Sequence, residues 1–253
     1  MNVSRFIRVP HLPENPVSLL LIGEKYRKSL EKPLADRGTQ VLWLPDNTCV
    51  DSRLSGHADL SVMHVGANVL VFQRCYESSI IVNYLTNRGF LIFFTEIQQN
   101  MSYPSDAGLC ACIVGKHILH KAEITDPTVK RLIDDKKFIN INQGYAKCSV
   151  CTVDSESIIT SDAGAAKAAK IAGLNVLETA SGEIALDGFD TGFIGGALFK
   201  ISHDTMLCTG TLDTHPDKER ITEFLSSRGI KLEYLTNERA FDIGSAVLLE
   251  EAL

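Results

Sequence analysis

The feature that most constrains this 253-residue chain is a unit that recurs five times. Five short segments begin with a small residue and end with an aliphatic one. They are Ser-Val-Met-His-Val at 61–65, Cys-Ala-Cys-Ile-Val at 110–114, Ser-Val-Cys-Thr-Val at 149–153, Ala-Leu-Phe-Lys-Ile at 197–201 and Ser-Ala-Val-Leu-Leu at 245–249. Their starts lie 49, 39, 48 and 48 residues apart, and a period in this range marks repeated supersecondary units. The first four are each followed by a three-residue polar turn (66–68, 115–117, 154–156, 202–204) and a second apolar run (69–72, 118–120, 158–160, 206–208). Two strand-like runs across so short a turn predict a hairpin.

A helical pattern comes next in every copy. Residues 78–87 place Ile80, Ile81, Tyr84 and Leu85 on one face, and 126–135 place Val129, Leu132 and Ile133 likewise. Residues 165–172 are small and helix-favouring, and 216–227 carry Pro216 near their start with Ile221, Phe224 and Leu225 on one face. Gly89, Gly173 and Gly229 stand near the ends of three of these helices, where a left-handed residue stops a helix. A third apolar run closes each unit, at 90–94, 138–141, 175–177 and 230–235. The fifth copy is split: 19–22, the helical 25–37 and 40–44 supply strand, helix and strand, while 245–249 supply the missing first strand.

The expected fold class is therefore α/β, with five ββαβ units in a closed pseudo-five-fold propeller. The N- and C-terminal strands pair in one sheet, which removes the free edges of an open array. The whole chain, 1–253, reads as a single domain with 1–16 as an N-terminal extension. Val65, Val114, Val153, Ile201 and Leu249 end equivalent strands and are expected to be buried together with Leu70, Ile159 and Leu207, the helices packing outside. An ordinary alternating α/β sheet would not give two strands per helix, constant turns or a split unit.

This architecture, over about 17–249, resembles the pentein fold, an α/β propeller. Penteins include arginine deiminases, dimethylarginine hydrolases and amidinotransferases, and also the non-enzymatic anti-association translation initiation factor. The resemblance implies a fold and leaves the activity to the site. In the guanidine-modifying members a cysteine attacks the guanidinium carbon, a histidine shuttles protons and carboxylates hold the cation. The nucleophile's place before the last pore strand is taken here by Gly244 or Ser245, and no cysteine follows Cys208. Gly192-Phe-Ile-Gly-Gly196 stands where the histidine belongs, and Lys147-Cys-Ser149 where the third unit's acid belongs. Only Asp59 matches a substrate-holding acid. The set implied by the resemblance is thus incomplete, and Ser245 is read as having no base beside it.

The repeat register points to other residues. Four places before each small residue stand His57, Asp106, Tyr145, Phe193 and Phe241; two places before stand Asp59, Gly108, Lys147, Gly195 and Ile243. A ring would gather His57, Asp59, Asp106, Tyr145 and Lys147 at one mouth, above pore-lining Ser61, Cys110, Ser149, Ala197 and Ser245. Mixed charge with a tyrosine suits a small amino-acid-like or guanidino ligand, its cation on Asp59 and its carboxylate on Lys147. The alternative is an amidine-directed hydrolase or transferase that uses Cys110 or Cys148 with His57.

Cys110-Ala-Cys112 and Cys148-Ser-Val-Cys151 suggest a four-thiolate metal site, but in a strand Cys148 and Cys151 point to opposite faces. No metal and no cofactor is expected. His117 and His120 read as solvated around a hairpin. No Gly-rich stretch precedes a Lys-Ser or Lys-Thr pair, so no phosphate loop is expected.

Composition limits the partners. With 31 acidic against 25 basic residues the net charge is −6, so no excess of cations exists for nucleic acid or an anionic membrane. No apolar run reaches the roughly 18 residues a membrane helix needs, and 1–16 lack the apolar stretch of a secretory signal. Seven cysteines, an odd number inside apolar stretches, fit reduced thiols and a cytoplasmic location. A small molecule or a protein partner remains, and the sequence does not set the oligomeric state.

Overall fold

The structure, a computed structural model, describes residues 3–253; the first two residues of the extension lie outside the described residues. Five small sheets are present. In the first unit Val62–Gly66 runs antiparallel to Val69–Phe72, which pairs in parallel with Leu91–Phe94 after the helix Ile80–Asn87. The second repeats this with Cys112–Val114, His117–His120, helix Pro127–Leu132 and Lys137–Asn140. Val150–Thr152, Ser157–Thr160, helix Ala163–Ile171 and Asn175–Glu178 form the third. The fourth uses Leu198–Ser202, Thr205–Cys208, helix Lys218–Ser226 and Lys231–Tyr234.

The split unit is assembled from both ends of the chain. Val247–Ala252 runs antiparallel to Val17–Gly23, which is parallel to Gln40–Leu44 across the helix Arg27–Ala35. The extension adds something the repeat did not predict: Ser4–Phe6 pairs with the outer edge of Val247–Ala252 as a fourth strand. Glu250 secures that edge, accepting from Ser4 Oγ at 2.7 Å and from Nε and Nη2 of Arg88 at 2.6 Å each.

Local signals explain the helices. The Ser79, Asp126 and Asp162 side chains each accept a backbone N–H of the first turn, and Pro127 takes the first position of its helix. The first of these caps shifts the expected face. Val82 and Leu85 are buried, whereas Ile80, in the opening turn, is 85% exposed. The last helix starts at Lys218, after Pro216 rather than at it.

All eight residues expected in the core are buried, but in five places rather than one. Val65 packs between the first and second units, Val114 between the second and third, and Val153 with Ile159 between the third and fourth. Ile201 and Leu207 join the fourth unit to the terminal one, while Leu70 and Leu249 join the terminal unit to the first. Each inner strand is covered on both faces, so alternate side chains enter different cores. Following these cores around the molecule leads back to the first unit.

His117 and His120 correct the sequence reading, since they are 6% and 0% exposed. Neighbouring units cover both faces of their strand. His120 Nε2 lies 2.9 Å from Gly144 O and 3.1 Å from Ala107 O, and Nδ1 lies 2.7 Å from Thr125 Oγ1. The neutral ring with Nε2–H donating to a carbonyl satisfies this set. Among the described residues no helix is long and apolar enough to cross a membrane.

Candidate functional site

The small residue of each repeat ends a tight turn just before its strand. Ala58–Leu60, Ala146–Ser149 and Ile194–Ala197 are single helical turns in the first, third and fourth units. Such turns, together with 106–110 and 241–245, converge near the axis. All five residues predicted to line it, Ser61, Cys110, Ser149, Ala197 and Ser245, are at most 1% exposed. Ser61 Oγ accepts from Asn47 Nδ2 at 3.0 Å, and Ser149 Oγ donates to Ala146 O at 3.2 Å.

His57, Asp59, Cys110 and Cys148 meet at the centre. Both thiols donate to Asp59 Oδ2, from Cys110 Sγ at 3.2 Å and from Cys148 Sγ at 2.7 Å. Cys148 Sγ is also 3.9 Å from His57 Nδ1, and the other ring nitrogen faces Asp242 Oδ1 at 4.0 Å. Burial raises the Asp59 carboxyl above its ordinary range, pushes the Cys110 thiol up to about 11 and drives the Cys148 thiol well above its ordinary value. Leu54, Leu60, Ala107, Tyr145, Leu186 and Phe193 pack around the two cysteines, which accounts for that desolvation.

Tyr145 and Asp106 form their own pair on one flank, with the phenol donating to Asp106 Oδ2 at 2.6 Å while Oδ1 is buried without a partner. Burial raises the Asp106 carboxyl. Lys147 turns toward the terminal unit: Nζ donates to Ser245 Oγ at 2.8 Å and lies 3.3 Å from Gly195 O. Ser245 therefore has an amine beside it that the sequence did not place there, because the two turns meet across the axis. Its backbone is left-handed, at φ 59°, a sparse region for serine. An ammonium that donates is not a base, however, and the spaces beside Lys147 and Ser245 measure about 10 Å³. An amino-acid-sized molecule needs far more room.

That room exists at the mouth. A cavity of about 410 Å³ is lined by Lys25, Tyr26, Asp187, Glu238, Arg239, Phe241 and Asp242, among others. Tyr26 joins it to the centre, its ring centroid 6.3 Å from those of both His57 and Phe241. Asp242 belongs to both, since it lines the cavity and faces His57.

Sequence reasoning missed Asp242, although a signal was present. Three places before each small residue stand Ala58, Ala107, Ala146, Ile194 and Asp242, four apolar side chains and one carboxylate. Asp242 is held by the backbone N–H groups of Phe193, at 2.9 Å, and Gly244, at 2.8 Å. Gly196 leaves it space, because a Cβ there would stand 1.8 Å from Asp242 Oδ1.

Five ββαβ units with converging turns define the pentein fold, and solved structures agree. SxtG, an amidinotransferase of the saxitoxin biosynthetic pathway from Microseira wollei, is 9% identical with a TM-score of 0.57, covering 98% of this chain and 96% of its own. DDAH from Pseudomonas aeruginosa, solved with citrulline, is 10% identical with a TM-score of 0.54, covering 94% and 100%. An agmatine deiminase from C. jejuni is 10% identical with a TM-score of 0.54, covering 90% and 91%. The chain itself belongs to a family of unknown function (DUF6873), whose sequence model matches residues 21–247. No curated protein matches it in sequence.

Proposed function

We propose that this protein binds a small amino-acid-like or guanidino molecule at the mouth of the propeller, without the cysteine and histidine positions used by guanidine-modifying penteins. The observation that carries this reading is the mouth cavity. It is large enough for a small metabolite and presents carboxylates and cations together beside the rings of Tyr26 and Phe241. Asp187 and Asp242 suit an ammonium or guanidinium, and Lys25 and Arg239 suit a carboxylate. The ligand reading thus moves from Asp59 and Lys147 to the neighbouring cavity, where space and charge coincide. The test is a thermal-shift screen of amino acids and guanidino compounds at millimolar concentration. A hit raises the melting temperature, and Asp187→Asn, an exposed change, abolishes the rise. If no compound shifts the unmutated protein, the reading fails and a protein partner becomes the better explanation of the mouth.

A second reading rests on the succession Cys148, His57, Asp242, in which an imidazole sits between a thiol and a carboxylate 4.0 Å beyond it. It supports thiol chemistry on amidine-type substrates. Iodoacetamide at near-stoichiometric protein separates the two. Rapid, selective loss of the Cys148 thiol favours the enzyme, and uniformly slow reaction of all seven cysteines removes it.

A further inference from the structure

Two thiols, a carboxylate and an imidazole meet below the mouth, drawn from three different units. The donor atoms of His57, Asp59 and Cys148 all lie within 4.8 Å of one another, and Cys110 Sγ approaches the same Asp59 oxygen at 3.2 Å. All four residues are at most 4% exposed. Among the described residues Asp59 Oδ1 and His57 Nε2 have no hydrogen-bond partner. Buried polar atoms are ordinarily paired, so a fully buried cluster that leaves a carboxylate oxygen unpartnered has a ligand atom to spare for a further component.

We propose that Cys110, Cys148, Asp59 and His57 form a tetrahedral site for a soft divalent cation, with zinc the ion whose preferences they match. Zinc takes thiolate, imidazole and carboxylate ligands four at a time, at about 2.0 to 2.3 Å. Ligand atoms around such an ion stand about 3.5 Å apart. The observed separations of 2.7, 3.2 and 3.9 Å straddle that value, so His57, Asp59 and Cys148 already stand near the required spacing and Cys110 joins them through its contact with Asp59. On binding, the thiol protons and any carboxyl proton pass to solvent as two Zn–S bonds and one Zn–O bond form. His57 gives the lone pair of Nδ1. The dication offsets two of the three negative charges, which this apolar surrounding would not accept alone.

The outer shell fits as well. A ligating histidine commonly donates its other N–H to a carboxylate, which fixes the ring. Asp242 Oδ1 faces His57 Nε2 at 4.0 Å and is held in place by two backbone N–H groups. The site differs from the tetrathiolate that the CxC and CxxC spacings suggest. Cys112 Sγ lies 3.4 Å from Thr152 Oγ1, and Cys151 Sγ lies 3.9 Å from Met206 Sδ, both away from the centre.

The test of the metal site needs no mouth ligand and uses the full chain. Protein made in zinc-supplemented medium and purified without chelator is expected to carry about one zinc per chain by elemental analysis. Cobalt added to the stripped protein should give the intense visible bands of a tetrahedral ion and a thiolate charge-transfer band in the near ultraviolet. Cys110→Ser and Cys148→Ser should each weaken that charge-transfer band, Cys151→Ser should leave it intact, and Asp242→Asn should lower metal affinity by about 10- to 100-fold. Absence of both zinc and a cobalt spectrum in the unmutated protein overturns the proposal whether or not the variants fold. A thiolate band of undiminished intensity in both serine variants overturns it too, since the metal would then sit elsewhere. Neither failure touches the mouth reading, which is judged on Asp187 and an organic ligand.

Discussion

The terminal strand offers a quantitative test of how the two chain ends are joined. Leu248 and Leu249 are adjacent and 1% and 0% exposed, but they enter different cores. Leu248 packs with Phe199, Ile201 and Leu207 of the fourth unit, and Leu249 with Val62, Leu70 and Phe72 of the first. Replacing either with Ala removes three carbons, about 2.4 kcal/mol at about 0.8 kcal/mol per buried methylene. The residual cavity raises this to about 3 kcal/mol, inside the 2 to 5 kcal/mol range for such truncations. At about 2 to 4 °C per kcal/mol for a chain of this size, each variant should melt about 6 to 12 °C lower. Urea unfolding provides the assay. Trp43, the one tryptophan, sits in the strand Gln40–Leu44 of the same unit, so its fluorescence reports that unit while circular dichroism reports the whole. In a strand with one free face, one of the two substitutions would be nearly silent. A loss below about 1 kcal/mol for either leucine would refute packing on both faces, and with it the ring.

Three further outcomes follow from the same packing. Deleting 244–253 removes the strand between Ser4–Phe6 and Val17–Gly23 and exposes two edges, so soluble folded protein should largely disappear on size-exclusion chromatography; a cooperative melt near the full-length temperature would contradict this. Val153→Ala, in the core between the third and fourth units, should cost about 1 to 3 kcal/mol in urea unfolding, and a change of a few tenths would mean the repeat register is wrong. Burial holds the His120 imidazole down at about 4, below an unfolded value of about 6.5. The unfolded chain therefore binds the extra proton between these values, and this stability, about 3 kcal/mol, is complete above pH 6.5 and lost as the pH falls toward 4. His120→Gln should flatten that part of the melting-temperature profile between pH 7.5 and 5; an unchanged slope would assign it to other groups.

Most of the fold was legible because each unit repeats its own local signals. Apolar runs and three-residue turns mark the elements four times over, glycines stop three of the helices, and the split copy explains both termini. What was not legible depends on neighbours. Ser4–Phe6 carries too few residues to read as a strand, and only the edge of Val247–Ala252 makes it one. His120 looks like a hairpin residue until the carbonyls of Ala107 and Gly144 reach it from other turns. The repeat register places His57, Asp59 and Lys147 near the axis, whereas along the sequence the cysteines read as two close pairs. Their actual grouping, Cys110 with Cys148, follows from two single turns in different units, where strand alternation does not apply.

Two glycines show that the centre constrains the sequence beyond what the propeller needs. Gly244 precedes the last inner strand with φ 69°, and a Cβ on it would stand 2.6 Å from His57 Cα and 2.7 Å from Asp59 Oδ1. Gly196 adopts no such unusual φ, and yet a Cβ there would collide with the Asp242 carboxylate. A turn of this kind tolerates other residues, since Cys148 occupies the corresponding place in the third unit. The glycine in the fourth is therefore explained by the carboxylate it faces, and that carboxylate by the histidine beyond it. Gly196, Asp242, Gly244, His57 and Asp59 form one steric chain, in which each small residue makes room for the next polar one. Because the resemblance to solved penteins defines only the backbone, this chain of contacts is where the protein's own chemistry has to be sought.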